Sequence, residues 1–181
     1  MIKRLMFGFS AVALSLAVAS SAQAQAHFGI SAGLSIPQAA FGDAVKSGYN
    51  ATGMLSYSMP LSPIGVRAEV GYNSFDVKGG GGTARILDGA VNLVLSAPSA
   101  SMIKPYVTAG LGAYNTKLSF DQPIFGTSSV SQTKLGYNGG VGVSFGLSGF
   151  QTQIEARYVF VTADSGDEAT KFVPISVGIM F

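Results

Sequence analysis

Residues 171–181, KFVPISVGIMF, decide how the rest of the chain reads. Val173, Ile175, Val177, Ile179 and Phe181 fall on one parity; Pro174, Ser176, Gly178 and Met180 fall on the other. Successive side chains of a strand point to opposite faces, so this stretch is a strand with one continuous apolar face. Its other face is small or mixed.

The same alternation recurs upstream. Residues 27–36 set Phe28, Ile30, Ala32, Leu34 and Ile36 against Gly29, Ser31, Gly33 and Ser35. Residues 49–59, 64–76 and 85–96 read alike, with Val66, Ala68, Val70 and Tyr72 opposite Arg67, Glu69, Gly71 and Asn73. Leu87, Val91, Leu93 and Leu95 oppose Asp88, Ala90 and Asn92. In 104–118, Val107, Ala109, Leu111 and Ala113 oppose Tyr106, Thr108, Gly110, Gly112 and Tyr114. Residues 134–147 and 151–162 complete the set, the last with Ile154, Ala156, Tyr158 and Phe160 opposite Gln153, Glu155 and Arg157. That predicts eight strands.

The connections alternate in length. Segments 37–48, 75–84, 119–133 and 163–169 are long, the first with room for one helical turn, and 119–133 reads as the longest irregular loop. Segments 60–63, 97–103 and 147–150 are shorter; two prolines in 60–63 cannot continue a ladder. Short turns at one end and longer loops at the other are the arrangement of outer-membrane barrels. Strands of about ten residues or more suffice to cross a bilayer when tilted. An even number of antiparallel strands closes the sheet and leaves no edge in lipid. The expectation is an all-β, eight-stranded antiparallel up-and-down transmembrane β-barrel.

Composition agrees with that class. The chain of 181 residues carries 24 Gly, 12 Phe, 7 Tyr, no Cys and no Trp, and only 11% charged residues against 48% hydrophobic ones. Beyond the N-terminus no apolar run approaches the ~20 residues of a membrane helix. The N-terminus reads as a secretory signal peptide over residues 1–26: Lys3 and Arg4 precede an apolar core over 5–19, and both Ala24 and Ala26 end small-residue cleavage sites. The barrel domain then spans 27–181. Without Lys3 and Arg4, 9 basic residues face 9 acidic ones, so the clustered positive charge of a nucleic-acid binder is missing.

The leader, PYVTAGLGAY, GGVGVSFGL, QTQIEARYVFV and the terminal Phe181 together resemble the small eight-stranded outer-membrane protein family, the barrel type of outer-membrane protein A. The resemblance covers essentially the whole mature chain. It implies residence in the outer membrane of a Gram-negative bacterium, contact with outer-membrane lipid, and a C-terminal assembly signal read by the barrel-assembly machinery: Val173, Ile175, Val177, Ile179 and Phe181. Outer-membrane protein A itself carries a periplasmic peptidoglycan-binding domain; this chain stops at the barrel, so peptidoglycan anchoring is not expected.

Arg67, Glu69, Asp88, Glu155 and Arg157 all fall on the less apolar parity, which predicts a charge network inside the barrel. Buried charges need opposite partners. An eight-stranded barrel is just wide enough to be filled by side chains, so a lumen-filling network is favoured over a polar path. Tyr49, Tyr57, Tyr72, Tyr137, Tyr158 and Phe160 lie on the apolar parity and suit the aromatic girdles at the membrane interfaces. Phe41 and Phe125 are the loop aromatics.

No catalytic constellation emerges. Glu69 and Glu155 as a glycosidase pair are contradicted by the adjacent arginines. His27 is the one histidine and sits at the mature N-terminus, a poor place for a Ser-His-acid hydrolase of the lipid A deacylase kind. One His and no Cys make a transition-metal site equally poor. The run 78–83, KGGGGT, lacks the Gly-Lys-Ser/Thr ending of a phosphate loop. The expectation is a non-enzymatic barrel without cofactor, in a structural or surface-interaction role, its loops the contact sites. The alternative is a small porin-like channel. A soluble lipocalin-like barrel is a fold-level competitor whose apolar face would point inward.

Overall fold

In the computed structural model, residues 25–59, 62–98, 102–122, 126–147, 149–163 and 168–181 are described. Residues 1–24 of the proposed leader and Phe125 lie outside them; the leader's last two residues, Gln25 and Ala26, open the first strand. Eight strands close into one antiparallel barrel: β1 (Gln25–Gln38), β2 (Gly48–Ser58), β3 (Ile64–Asp76), β4 (Gly82–Ser96), β5 (Ile103–Gln122), β6 (Gly126–Leu147), β7 (Phe150–Val161) and β8 (Thr170–Met180). Each pairs with its sequence neighbour, and β1 pairs β8 with Ile30 opposite Ile179 and Leu34 opposite Ile175. Past the last ladder pair the seam continues, Phe28 and Phe181 exchanging backbone hydrogen bonds of 3.1 and 2.8 Å.

Burial follows the parity of the sequence, inverted relative to a soluble protein. Leu135 and Leu111 are 72% and 71% exposed, while Arg67 and Glu69 are 2% and 4% exposed. At mid-barrel the apolar residues point outward and Arg67, Glu69 and Glu155 point inward, so a lipocalin-like cup is ruled out. The four apolar residues singled out in β8, and Phe181 after it, lie on the outward parity.

Two connections differ from the sequence reading or sharpen it. Residues 119–122 and 126–133, expected within an irregular loop, instead extend β5 and β6, whose ladder runs to Asp121 opposite Thr127 and Gln122 opposite Gly126. Segment 37–48 does contain a short helix, α1 (Ala39–Ala44). It is tied to the β3–β4 connection by Lys46 N–H to Asp76 O at 2.8 Å, Lys78 N–H to Ala44 O at 2.9 Å, and a Val45–Val77 bridge. The β3–β4 turn itself runs through Gly79, Gly80 and Gly81 at φ +91°, +85° and +79°, a backbone only glycine adopts without strain.

Candidate functional site

The lumen is the place where the inward side chains converge, and it has three levels. In the middle, Arg67 and Glu69 of β3 meet Glu155 and Arg157 of β7. Arg67 Nη2 donates to Glu155 Oε2 at 2.6 Å. Arg157 Nε donates to Glu155 Oε1 at 2.9 Å, and its Nη2 to Glu69 Oε1 at 2.9 Å. Arg157 also reaches Glu69 Oε2 through Nη1. Arg67 Nε lies 2.6 Å from Glu69 Oε1, but without the alignment of a hydrogen bond. Two cations and two carboxylates thus form a closed alternating ring, which is how four buried charges become tolerable.

Tyr106 of β5 donates its hydroxyl to Glu155 Oε2 at 2.8 Å, and the Arg67 guanidinium stands 5.9 Å over its ring. Gly142 of β6 makes room for that ring, since a Cβ there would collide with Tyr106 and the Ile154 carbonyl. Gly136 does the same for Tyr114. The glycine-rich inner face of β6 is therefore where the lumen tyrosines lie.

Asp88 of β4 faces the lumen but does not join the ring. It accepts from Asn73 Nδ2 at 3.2 Å. Asn73 Oδ1 accepts from Ser35 at 2.7 Å, Ser35 accepts from Asn50 at 3.2 Å, and Ser176 donates to Asn50 at 2.8 Å. This polar chain crosses five strands. A cavity of only about 30 Å³ lies beside it.

At the long-loop end the lumen is apolar. Phe75, Ile86, Val159, Val161, Phe172 and Val45 are buried together with Tyr114 and Ala84. Phe75 packs edge-on against Phe172 at 5.7 Å and against Phe41 of α1 at 5.1 Å. Helix α1 thus lays one ring over the plug, and Phe41 is a packing residue. At the short-turn end the lumen widens to a cavity of about 1190 Å³, floored by Arg67, Tyr106 and Gln153. Lys104, Ser144 and Gln151 stand on its wall.

The six aromatics singled out in the sequence lie on the outer surface. At the long-loop end Tyr49 and Tyr72 pair at 6.4 Å, and Tyr137 stacks on Phe160 at 4.8 Å. Tyr158 precedes Phe160 by two residues on the same face. Tyr57 lies at the other end, as do Phe28 and Phe150. His27 contributes only a contact from Nδ1 to the Phe181 carbonyl at 3.3 Å. Among the described residues no cluster of three or more His, Cys, Asp and Glu could hold a metal.

A closed eight-stranded barrel with a lipid-ready outside and a paired-charge inside has a known counterpart. The outer membrane protein beta-barrel domain family matches residues 9–181. The chain belongs to that family. It is a protein of the outer membrane. Its fold is similar to Neisserial surface protein A, at 18% identity and a TM-score of 0.67 over 86% of this chain and 95% of that one. A major outer membrane protein from Thermus thermophilus matches at 13% identity and a TM-score of 0.61, over 87% of this chain and 98% of that one. Ail, the attachment invasion locus protein of Yersinia pestis, matches at 19% and 0.51, over 86% and 99%. No curated protein matches the chain at a significant level.

The plug and the polar chain were not anticipated from the sequence. Their signal is parity alone: Phe75 shares it with Arg67, Val159 and Val161 share it with Glu155, and Asn73 shares it with Glu69.

Proposed function

We propose that this barrel is a non-enzymatic outer-membrane protein that acts through its long-loop end, with the lumen closed and structural. The observation that carries the reading is the two-tier filling of the lumen: the Arg67–Glu69–Arg157–Glu155 ring and, beyond it, the Phe75–Phe172 plug under α1. Interactions then fall to the outside of the molecule. Two of the long connections, 37–48 and 75–84, are tied to each other by backbone hydrogen bonds around Lys46 and Lys78, a pre-ordered surface for contact. The name of the similar Ail, an attachment protein, supports the same class of role.

The wide cavity at the short-turn end favours a channel as the second reading, but it ends on Arg67 and Tyr106. A non-enzymatic role is supported by the inventory: a single His placed at the rim and no Cys. In this reading residues before His27 are a leader removed on export, and Val173, Ile175, Val177, Ile179 and Phe181 are what the barrel-assembly machinery reads.

Orientation is the first test, and the lack of cysteine makes it clean. Gly80→Cys should react with a membrane-impermeant maleimide on intact cells, whereas Ser62→Cys should react only after permeabilisation. The reverse pattern would overturn the proposal.

A further inference from the structure

Among the described residues, the barrel's outer surface carries a charge arrangement that its neighbours leave unbalanced. Arg85 of β4 and Lys117 of β5 are direct partners in the β4–β5 ladder, both on the outward parity and both exposed. Like charges directly opposite each other destabilise a sheet. Among the described residues neither has an ion pair or a hydrogen bond through its side chain. The outward acid in diagonal register with Arg85 is Asp76, opposite Thr83, and it forms no ion pair with it. By contrast, Lys171 has a local partner: its Nζ stands 5.3 Å over the Phe160 ring.

The surroundings on one side suit an anion. Lys117 is flanked by the exposed Ser131 across the β6 ladder. Ser131 and Asn115 are joined at 3.1 Å, and Asn115 and Thr133 at 2.8 Å, on the same outward face. The height is equally telling. Below Arg85 the outward residues of β4 are Leu87, Gly89, Val91, Leu93 and Leu95, roughly 26 Å of strand at about 3.3 Å per residue. Below Lys117 and Asn115 come Ala113, Leu111, Ala109 and Val107. The basic pair therefore stands where the apolar band gives way to polar surface at the long-loop end. A phosphate there would meet a forked guanidinium and a point-charge ammonium.

We propose that Arg85 and Lys117 hold a phosphate of a phosphorylated glycolipid in the outer leaflet, its acyl chains lying over Leu87, Leu111 and Leu135. The site rests on the orientation argued under the proposed function. It converts a repulsive pair into a bound counterion and fixes one lipid on the β4–β6 face.

The test uses the folded barrel in phosphatidylcholine nanodiscs. Retention of lipid A is read by native mass spectrometry for wild type, R85Q/K117Q, Arg85→Lys and Lys104→Gln, with folding checked by gel mobility before and after boiling. Wild type, Arg85→Lys and Lys104→Gln should retain lipid A carrying both phosphates. R85Q/K117Q should lose at least roughly tenfold in affinity, the factor carried by about 1.4 kcal/mol. Dephosphorylated lipid A should bind wild type no better than the double variant. Equal retention by R85Q/K117Q, equal loss in Lys104→Gln, or full displacement by millimolar inorganic phosphate would each overturn the proposal. If Gly80→Cys labels from outside while the double variant binds normally, the lipid site alone fails; if the labelling is reversed, the orientation fails first.

Discussion

Arg67 and Glu155, 88 positions apart in the chain, meet across the lumen with Nη2 2.6 Å from Oε2. One hydrogen-bonded contact thus ties β3 to β7, strands that share no ladder. It is also half of the ring that closes the barrel at mid-depth, and each member leaves an uncompensated buried charge if its partner is removed.

Breaking the ring from one side should therefore be costly. Glu155→Gln or Arg67→Met should destabilise the folded barrel by about 3–5 kcal/mol, the usual loss when one partner of a buried pair is removed. Replacing all four charges by apolar residues of similar volume should cost much less. Urea unfolding in lipid vesicles, followed by intrinsic tyrosine fluorescence, measures both.

The plug makes a separate contribution. Phe172→Ala removes a ring that is 1% exposed and packed on Phe75. The expected loss is about 3–5 kcal/mol from transfer and cavity terms together. Phe41→Ala on α1 should cost less, because that ring is only partly buried. The midpoint temperature of the gel mobility shift ranks the two.

Gly142→Ala places a methyl group against the Tyr106 ring and the Ile154 carbonyl. Overpacking of this kind costs about 1–3 kcal/mol. Gly89→Ala faces outward with nothing within 4 Å of its added Cβ, so it should leave the unfolding midpoint unchanged.

Phe181→Ser should leave the purified barrel able to fold in detergent, because the side chain is 61% exposed. If Phe181 is part of the assembly signal, the variant should reach the outer membrane poorly. Quantitative immunoblotting of the fractionated envelope, set beside refolding yield in vitro, separates the two effects.

The fold was legible because a barrel writes its two environments into alternate residues. Leu87, Val91, Leu93 and Leu95 against Asp88, Ala90 and Asn92 give face and strand together. The four charges of the ring were legible for the same reason: they are charges on the wrong face for lipid. The signal fails where the two faces cease to differ. In 119–122 and 126–133 small polar residues lie on both parities, so the stretch reads as loop although its ladder continues from Ser119 opposite Ser129 to Gln122 opposite Gly126. At the plug, Val159, Phe160 and Val161 are apolar on both faces, and the inward pair is hidden by its outward neighbour. The polar chain from Asp88 to Ser176 is built of Asn and Ser, residues common in any outer-membrane strand or loop. Only the register shows that they touch.

Planar-bilayer conductance of the purified, refolded barrel tests the closed lumen most directly. Wild type should stay at baseline. Phe172→Ala combined with E69Q/E155Q/R67M/R157M should show current, while either set alone should not, since each tier closes the lumen by itself. Discrete, reproducible conductance steps from the wild-type protein would contradict the account and make the barrel a channel.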